Sequence, residues 1–246
     1  MLGVGTRFFE KREGIGPQKI VNFVKRAVGL GDKVLVAINV AEDKSGAEQV
    51  LRQMVLPSLP LEVIPVTPWG FTTAMNALVF AADKGQQEFL LSHSVEIEMN
   101  KEMVDKMMGF MEPDTLCVGA CLPGHEFHPG KTFRGNGKAI PWNTCCLWRL
   151  EPLAVLGFPL VGDASFDQSQ AGVEELTSIA LIQHVFTCGT KKAKLVEVPG
   201  IEWKTEFSDD LARRQAHERK IRLKVQRPRL QLGLLGLPEP MVEHIR

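Results

Sequence analysis

The hydrophobic positions along this chain alternate between two patterns. Short uninterrupted apolar runs are typical of strands buried on both faces of a parallel sheet, and apolar residues at every third or fourth position are typical of amphipathic helices. The predicted strands are 2–9, 34–38, 61–66, 89–91 and 115–119, and the predicted helices between them are 17–28, 42–54 and 72–82. This order predicts a single α/β domain in which helices cover both faces of a mostly parallel central sheet.

The alternation is less regular in the second half of the chain. Residues 122–141 are rich in Gly, Pro, His, Lys and Arg and predict a long loop, which is usually either functional or mobile. The remaining predicted elements are an ordered segment at 143–150, helices at 151–156 and 173–186, and a last strand at 194–198. We therefore predict one domain over 1–246, with a core of about 1–205 followed by a basic C-terminal helix and tail over 206–246.

Composition and charge narrow the function classes. The chain has 29 basic and 29 acidic residues among 246, so the molecule as a whole does not attract nucleic acid, and a nucleic-acid partner is not expected. RNA binding through the basic tail alone would show as an affinity that falls steeply with salt. Because the sequence shows neither a charged leader nor eighteen consecutive apolar residues, we expect no transmembrane segment and a cytoplasmic protein.

The candidate chemistry lies just past the fourth predicted strand, where an apolar run ends in Ser92, His93, Ser94 and Glu96. Ligands of open α/β sheets bind at the carboxyl ends of the strands, so a binding site is expected here. Strand alternation points His93 away from the two serines, which favours a packing role for it.

A second group of residues has the types found in zinc sites: Cys117, Cys121, His125 and His128. Structural zinc usually takes its cysteine pair from a tight turn, whereas Cys117 lies inside an apolar strand. We therefore expect no zinc, and the five cysteines are expected to be reduced thiols.

The order of short motifs resembles the GT-A fold glycosyltransferases, specifically the large second family of inverting enzymes that use nucleotide-diphosphate sugars. Residues 5–7 stand where that family has Pro-Thr followed by Tyr or Arg, and Asn39 stands where an aspartate reads the nucleotide base. Residues 70–77 are similar to a Gly, Ala and Asn pattern centred on Asn76. The segment 89–96 falls where the family has Asp-x-Asp, and the later motifs follow in the family's order: Asn143-Thr144, Gly157-Phe158 and Glu174-Glu175.

The resemblance implies roles for individual residues. Glu175 is implied as the catalytic base, with Glu174 as the runner-up or as its orienting neighbour. The implied contacts to the nucleotide sugar are Thr6, Arg7, Asn39, Asn76, Ser92 and Ser94. The alternatives are a solvated carboxylate pair at a helix start, a strand-end Asn39 that bonds the following turn, and an Arg7 in a surface salt bridge.

The chain departs from the family at the metal motif. The aspartates of Asp-x-Asp supply hard oxygen ligands to a divalent cation, but Ser92 and Ser94 stand at these positions. A shift of register offers Ser94 and Glu96 as metal ligands instead. The cofactor is therefore Mn²⁺ or Mg²⁺, or the protein is metal-independent, with Lys131, Arg134 or the basic C-terminal helix near the diphosphate. That helix is otherwise a solvated face or a contact to an anionic surface.

Two functions are consistent with these residues. The first is a glycosyltransferase that moves a sugar from a UDP- or GDP-linked donor to an acceptor hydroxyl, of unknown identity, with inversion. The second is a catalytically weak or inactive nucleotide-sugar-binding protein of the same fold. The retained glutamate pair favours the first, and the serines at the metal positions favour the second.

Overall fold

The computed structural model describes residues 1–9, 16–41, 46–55, 59–163, 171–186, 191–204, 215, 218–219 and 221–246. Within them the helices are α1 Gly16–Ala27, α2 Ala47–Met54, α3 Phe71–Lys84, α4 Lys101–Gly109, α5 Leu150–Leu156, α6 Glu174–Val185 and α7 Gln226–Leu235, with a 3₁₀ turn at Leu160–Asp163. The strands are β1 Leu2–Phe8, β2 Lys33–Asn39, β3 Leu61–Val66, β4 Phe89–His93, β5 Ile97–Glu98, β6 Thr115–Ala120, β7 Thr132–Arg134, β8 Cys145–Arg149, β9 Lys192–Val196, β10 Glu202–Trp203 and β11 Met241–Ile245.

The central sheet has nine strands in the order β3-β2-β1-β4-β8-β6-β9-β11-β7. The pairs β3-β2, β2-β1, β1-β4, β6-β9 and β9-β11 are parallel, and the pairs made by β8 and β7 are antiparallel. The predicted α/β domain with a mostly parallel sheet is therefore confirmed. Every side chain of β4 and β6 is buried, as their continuous apolar runs predicted.

The strand order positions a binding site. The chain passes from β1 outward to β2 and β3 and then returns to β4 on the other side of β1. The carboxyl ends of β1 and β4 therefore flank a topological switch point, where open α/β sheets form their ligand crevice. The two strands end in Phe8 and His93, so Arg7 and Ser92 lie at this edge.

The prediction that the C-terminal residues form a tail outside the core was wrong for the last part of the chain. Strand β11 lies inside the central sheet between β9 and β7, and Val242 within it is fully buried. The long loop is correspondingly less irregular than predicted, because it contains β7. Five residues with mixed polarity give no local signal for a strand, and β11 forms because β9 and β7 supply its hydrogen bonds. In the predicted basic helix, Arg213, Arg214 and Lys220 lie outside the described residues.

A buried histidine joins this last strand to the long loop. His244 Nδ1 accepts a hydrogen bond from His128 N at 2.8 Å, and its Nε2 lies 2.9 Å from Ala139 O. His125 is held in the same way, between Leu122 N at 2.9 Å and Ile140 O at 3.1 Å. Burial lowers the pKa of His125 to about 3, which keeps its ring neutral.

No helix among the described residues combines the length and the apolar character needed to cross a membrane. The longest of them, α3, has 14 residues, whereas a spanning helix needs about 20 apolar residues.

We predict that Val242→Ala lowers the free energy of unfolding by about 2 kcal/mol, because it removes two methyl groups from the fully buried strand β11. The matched control is Met241→Ala on the same strand, where the side chain is 42% exposed and the change is expected to stay within about 0.5 kcal/mol. Urea unfolding of both variants measures the difference. Equal effects would mean that the C-terminus does not belong to the core.

Candidate functional site

The carboxyl edge of the sheet brings together one arginine, one asparagine and two glutamates. Arg7, near the end of β1, donates from Nη1 to Glu174 Oε1 at 2.6 Å and to Phe71 O at 2.9 Å. Asn143, just before β8, donates from Nδ2 to Glu174 Oε1 at 3.2 Å and to Glu175 Oε2 at 3.4 Å. The two glutamates begin helix α6, where carboxylates are favoured by the helix dipole.

Asn143 uses its remaining polar atoms to hold this arrangement in place. Its Oδ1 accepts from Trp148 Nε1 at 3.0 Å, and its backbone carbonyl accepts from Ser92 Oγ at 2.6 Å. Ser92 is itself buried. Ser92 therefore supports Asn143 and is not presented to a ligand as the prediction from the motif required.

Glu174 and Glu175 are both buried but differ in their protonation behaviour. Burial alone would raise the pKa of Glu174, but Arg7 and the hydrogen bond from Asn143 outweigh it and hold this pKa below its ordinary value. Burial, together with the negative charge of Glu174, raises the pKa of Glu175 to about 7. Glu174 is therefore charged near neutral pH, and Glu175 exchanges a proton there, as a general acid or base must.

Lys224 approaches Glu175 from the C-terminal part of the chain. Its Nζ lies 3.7 Å from Glu175 Oε1 and 3.7 Å from the centre of the Trp142 ring. The ring of His125 also stacks on Trp142, with 3.6 Å between the ring centroids. Burial lowers the pKa of Lys224, while the two glutamates oppose that shift. Lys224 thus provides Glu175 with a positive partner within the low-dielectric interior.

A cavity of about 120 Å³ is lined by Arg7, Asn143, Glu174, Glu175 and Lys224, and also by Thr144, Gly172 and Arg227. A second cleft of about 770 Å³ adjoins it and shares Arg7, Phe71 and Ala171 with it. The larger cleft has aromatic and apolar walls formed by Phe9, Pro68, Trp69, Phe71 and Leu160. The two spaces adjoin at these shared residues, their combined size is ordinary for a small-molecule ligand, and the charged groups lie on the side of the smaller cavity.

Three predicted nucleotide contacts are placed differently from what the motifs suggested. Asn76 uses its whole amide on the backbone of Phe158, donating to O at 2.9 Å and accepting from N at 2.7 Å. Thr6 is buried and, by strand alternation, faces away from Arg7. Asn39 is buried at the carboxyl end of β2, and like the other two it is not among the residues that line the cavity or the cleft. We therefore leave these three residues out of the site.

The predicted metal pair does not fit a dedicated metal site. Ser94 Oγ accepts from Glu96 N at 3.4 Å, and Glu96 Oε2 accepts from Trp203 Nε1 at 3.3 Å. Glu96 lines a separate pocket with Lys19, Arg26 and Lys204. In the described part of the chain no three His, Cys, Asp or Glu side chains converge as a set of metal ligands. A hard cation needs several oxygen ligands, so we derive no catalytic step through a metal.

The sequence alone did not point to Lys224 and Arg227 individually. They belong to a run of Arg and Lys residues after 211, and the neighbouring sequence does not distinguish one member of this run from another. Nothing in this run marks the two side chains that enter the cavity. The pair Asn143-Thr144 was visible as a motif, but its hydrogen bonds to both glutamates depend on α6 and β8 meeting at the same edge.

We predict that Glu175→Gln removes a pH dependence of stability. A pKa raised to about 7 makes the folded state bind the Glu175 proton more tightly than the unfolded chain does, so this stabilisation is complete below about pH 4.5 and is lost as the pH rises through 7. The wild type is therefore expected to lose stability relative to the variant as the pH rises from about 4.5 to above 7. The difference in the free energy of unfolding, variant minus wild type, should increase by on the order of 3 kcal/mol. Urea unfolding at a series of pH values measures it. The exposed Glu151→Gln is the control, and a constant difference for Glu175→Gln would contradict the assignment.

The sequence matches no protein-family model, and no curated protein matches it either. Among solved structures, the chain is similar to a mannosyltransferase from Pyrobaculum calidifontis in complex with GDP-Man and Mn²⁺, with a TM-score of 0.53 and 15% identity over 74% of this chain and 51% of that one. Similarity to TarS from S. aureus in complex with UDP-GlcNAc has a TM-score of 0.47 and 12% identity over 72% and 52% of the two chains. A glucosyl-3-phosphoglycerate synthase from Mycobacterium tuberculosis matches with a TM-score of 0.40 and 11% identity over 62% and 57%.

The chain spans between half and three fifths of the length of these structures. Of these three structures, the mannosyltransferase has a TM-score above 0.5, and at 15% identity this similarity shows the fold alone. The predicted resemblance is confirmed at that level: this chain has a GT-A-like fold, the architecture of nucleotide-sugar glycosyltransferases.

Proposed function

We propose that this protein transfers a sugar from a UDP- or GDP-linked donor to an acceptor hydroxyl, with inversion, and that Glu175 is the general base. The observation that most supports this proposal is the protonation of Glu175: a buried carboxyl with a pKa of about 7 lines a cavity at the carboxyl edge of the sheet. Structural glutamates are rarely buried beside a second glutamate, and perturbed carboxyls in clefts are frequent at active sites.

The proposed step uses few groups. The acceptor hydroxyl oxygen attacks the anomeric carbon while its proton passes to Glu175. The bond from that carbon to the diphosphate breaks, and both of its electrons go to the diphosphate oxygen. Attack from the side opposite the leaving group produces inversion, and the alignment of the two substrates supplies much of the rate enhancement.

Glu174 and Arg7 have a positioning role in this proposal. Their ion pair at 2.6 Å fixes the first turn of α6 against β1, and the charge of Glu174 contributes to the raised pKa of its neighbour Glu175. Replacing Glu174 with glutamine would remove that charge and lower the pKa of Glu175, which makes it a weaker base.

The larger cleft is the proposed site for the rest of the donor. Its aromatic wall includes Phe9 and Trp69, whose rings are 5.8 Å apart, and Phe71, which is partly exposed. Aromatic faces bind nucleobases and sugar rings by stacking. The adjoining charged cavity would then receive the reacting groups.

A second function of a different class is a nucleotide-sugar-binding protein with little or no turnover. It is favoured by the observation that side chains which a transferase would present to the donor are already bonded to other groups of the protein. Arg7 is paired with Glu174, Ser92 bonds Asn143, and Glu96 bonds Trp203. The two functions share the cleft and differ in whether Glu175 removes a proton from an acceptor.

We predict that UDP or GDP raises the melting temperature of the protein, whether or not MnCl₂ is present, because the described residues do not form a dedicated metal site. Thermal-shift measurements with UDP, GDP, ADP and CDP, each with MnCl₂ or EDTA, test this. Stabilisation that requires manganese would contradict metal independence but support nucleotide binding. No response to any nucleotide would contradict both proposed functions.

We predict that Glu175→Gln lowers the rate of nucleotide diphosphate release from the sugar nucleotide that binds best by about 10²–10⁴-fold, the usual contribution of a general base. The measurement uses water as the acceptor and follows free UDP or GDP. The wild-type rate is expected to fall below pH 7 as Glu175 becomes protonated.

Glu151→Gln, on the exposed start of α5, is the matched control and should retain the wild-type rate. A Glu175→Gln variant that binds the nucleotide normally and releases it as fast as the wild type would refute the role of Glu175. A wild type that binds but shows no turnover with any sugar nucleotide would favour the binding protein.

A further inference from the structure

Arg227 stands apart from the other charged groups of the cavity. It lies in the first turn of α7 and lines the cavity together with Glu174, Glu175 and Lys224. Arg7 is paired with Glu174, and Lys224 lies beside Glu175. Arg227 makes no ion pair with any carboxylate in the described part of the chain. Among the described residues that line the cavity, three are positively charged and two are negatively charged when both glutamates are ionised.

A second positive charge lies near Arg227. Burial lowers the pKa of its guanidinium, and the one neighbouring charge that acts in the same direction is a second cation, Arg219. Its Nε is buried without a hydrogen-bond acceptor. A buried donor without a partner is costly, and an anionic ligand at this place would supply both the missing acceptor and the missing negative charge.

The fold holds Arg227 in position. Gln231, one helical turn further along α7, donates from Nε2 to Gly172 O at 2.9 Å and accepts from Thr177 Oγ1 at 2.8 Å. These bonds fasten α7 to the start of α6. Gly172 itself leaves room beside the guanidinium, because a Cβ built on it would lie 3.9 Å from Arg227 Nη1.

We propose that Arg227, with Lys224 next to it, forms a binding site for a phosphoryl group at the charged end of the cleft. A guanidinium presents parallel N–H donors that match two phosphate oxygens, and partial burial strengthens such charge-assisted bonds. The group comes either from the diphosphate of the donor or from a phosphorylated acceptor. This inference rests on the proposed function for the identity of that molecule, whereas the anion site itself does not depend on turnover.

Two positive side chains at this site would allow phosphate to bind even though Ser92 and Ser94 stand where the related family has metal-binding aspartates. Cations positioned beforehand stabilise the charge of a diphosphate by the same electrostatic means as a metal ion. Lys224 and Arg227 are both supplied by the C-terminal part of the chain, and both line the same small cavity. The two cations therefore lie close enough to act on one ligand.

Isothermal titration calorimetry with inorganic pyrophosphate, in buffer with EDTA, tests the site. We expect Arg227→Gln to weaken pyrophosphate binding at least tenfold, and Arg227→Lys to weaken it less, because lysine keeps the charge and loses the paired donors. Arg229→Gln is the matched control two residues further along the same helix, since its side chain is 68% exposed and lies 3.9 Å from Glu239. It should bind as the wild type does.

Equal affinity of wild type and Arg227→Gln, or no binding of pyrophosphate by the wild type, would overturn the proposal. Melting temperatures without ligand show whether each variant is folded. If Arg227→Gln does not fold, the comparison of Arg227→Lys with Arg229→Lys decides the outcome.

Competition identifies the source of the phosphoryl group. If UDP or GDP displaces pyrophosphate, the site binds the donor diphosphate; if both bind together, the site binds a phosphorylated acceptor. Pyrophosphate binding that depends on Arg227, without any nucleotide binding, would leave the anion site established and the proposed function refuted. Pyrophosphate binding that is unchanged in Arg227→Gln, in a protein that binds and turns over a sugar nucleotide, would refute the anion site alone.

Discussion

The ionic arrangement at the start of α6 is the interaction on which the rest of the site depends. Two adjacent carboxyls are buried there, and burial without compensation would be prohibitive for either of them in its charged form. Glu174 is compensated by Arg7 at 2.6 Å, and Asn143 bonds both glutamates. The ion pair of Glu175 is longer, with Lys224 at 3.7 Å. This unequal compensation separates the two pKa values and makes one glutamate a fixed charge and the other a group that titrates near neutrality.

Each partner in this arrangement comes from a different part of the chain. Arg7 is supplied by β1, Asn143 by the approach to the antiparallel strand β8, and Lys224 by the segment before α7. The antiparallel β8 is essential, because its N-terminal end lies at the edge where β1 and β4 have their carboxyl ends. The C-terminal strand β11 has a comparable effect at a distance: its His244 holds the long loop that leads to Trp142, on which Lys224 lies.

The same arrangement gives Ser92 a structural role. Ser92 bonds the carbonyl of Asn143, which an aspartate at this buried position would instead repel, since a carboxylate oxygen accepts hydrogen bonds and cannot donate one. The serine is therefore suited to supporting Asn143. Lys224 and Arg227, from the C-terminal part of the chain, are the positive side chains that we propose balance an anionic ligand in this cavity.

The sequence by itself determined the architecture and the location of the site. Continuous apolar runs in β4 and β6 and three-to-four spacing in α1 are local consequences of burial, so they predicted the sheet, the helices and the edge at which polar residues collect. The glutamate pair was also visible, because it opens a helix behind Gly172. Tertiary structure alone decided which polar side chains reach that edge: Asn76 bonds Phe158, Thr6 faces away, Lys224 and Arg227 enter the cavity, and β11 joins the sheet. Each of these outcomes depends on contacts between residues far apart in the chain, and local spacing contains no information about such partners.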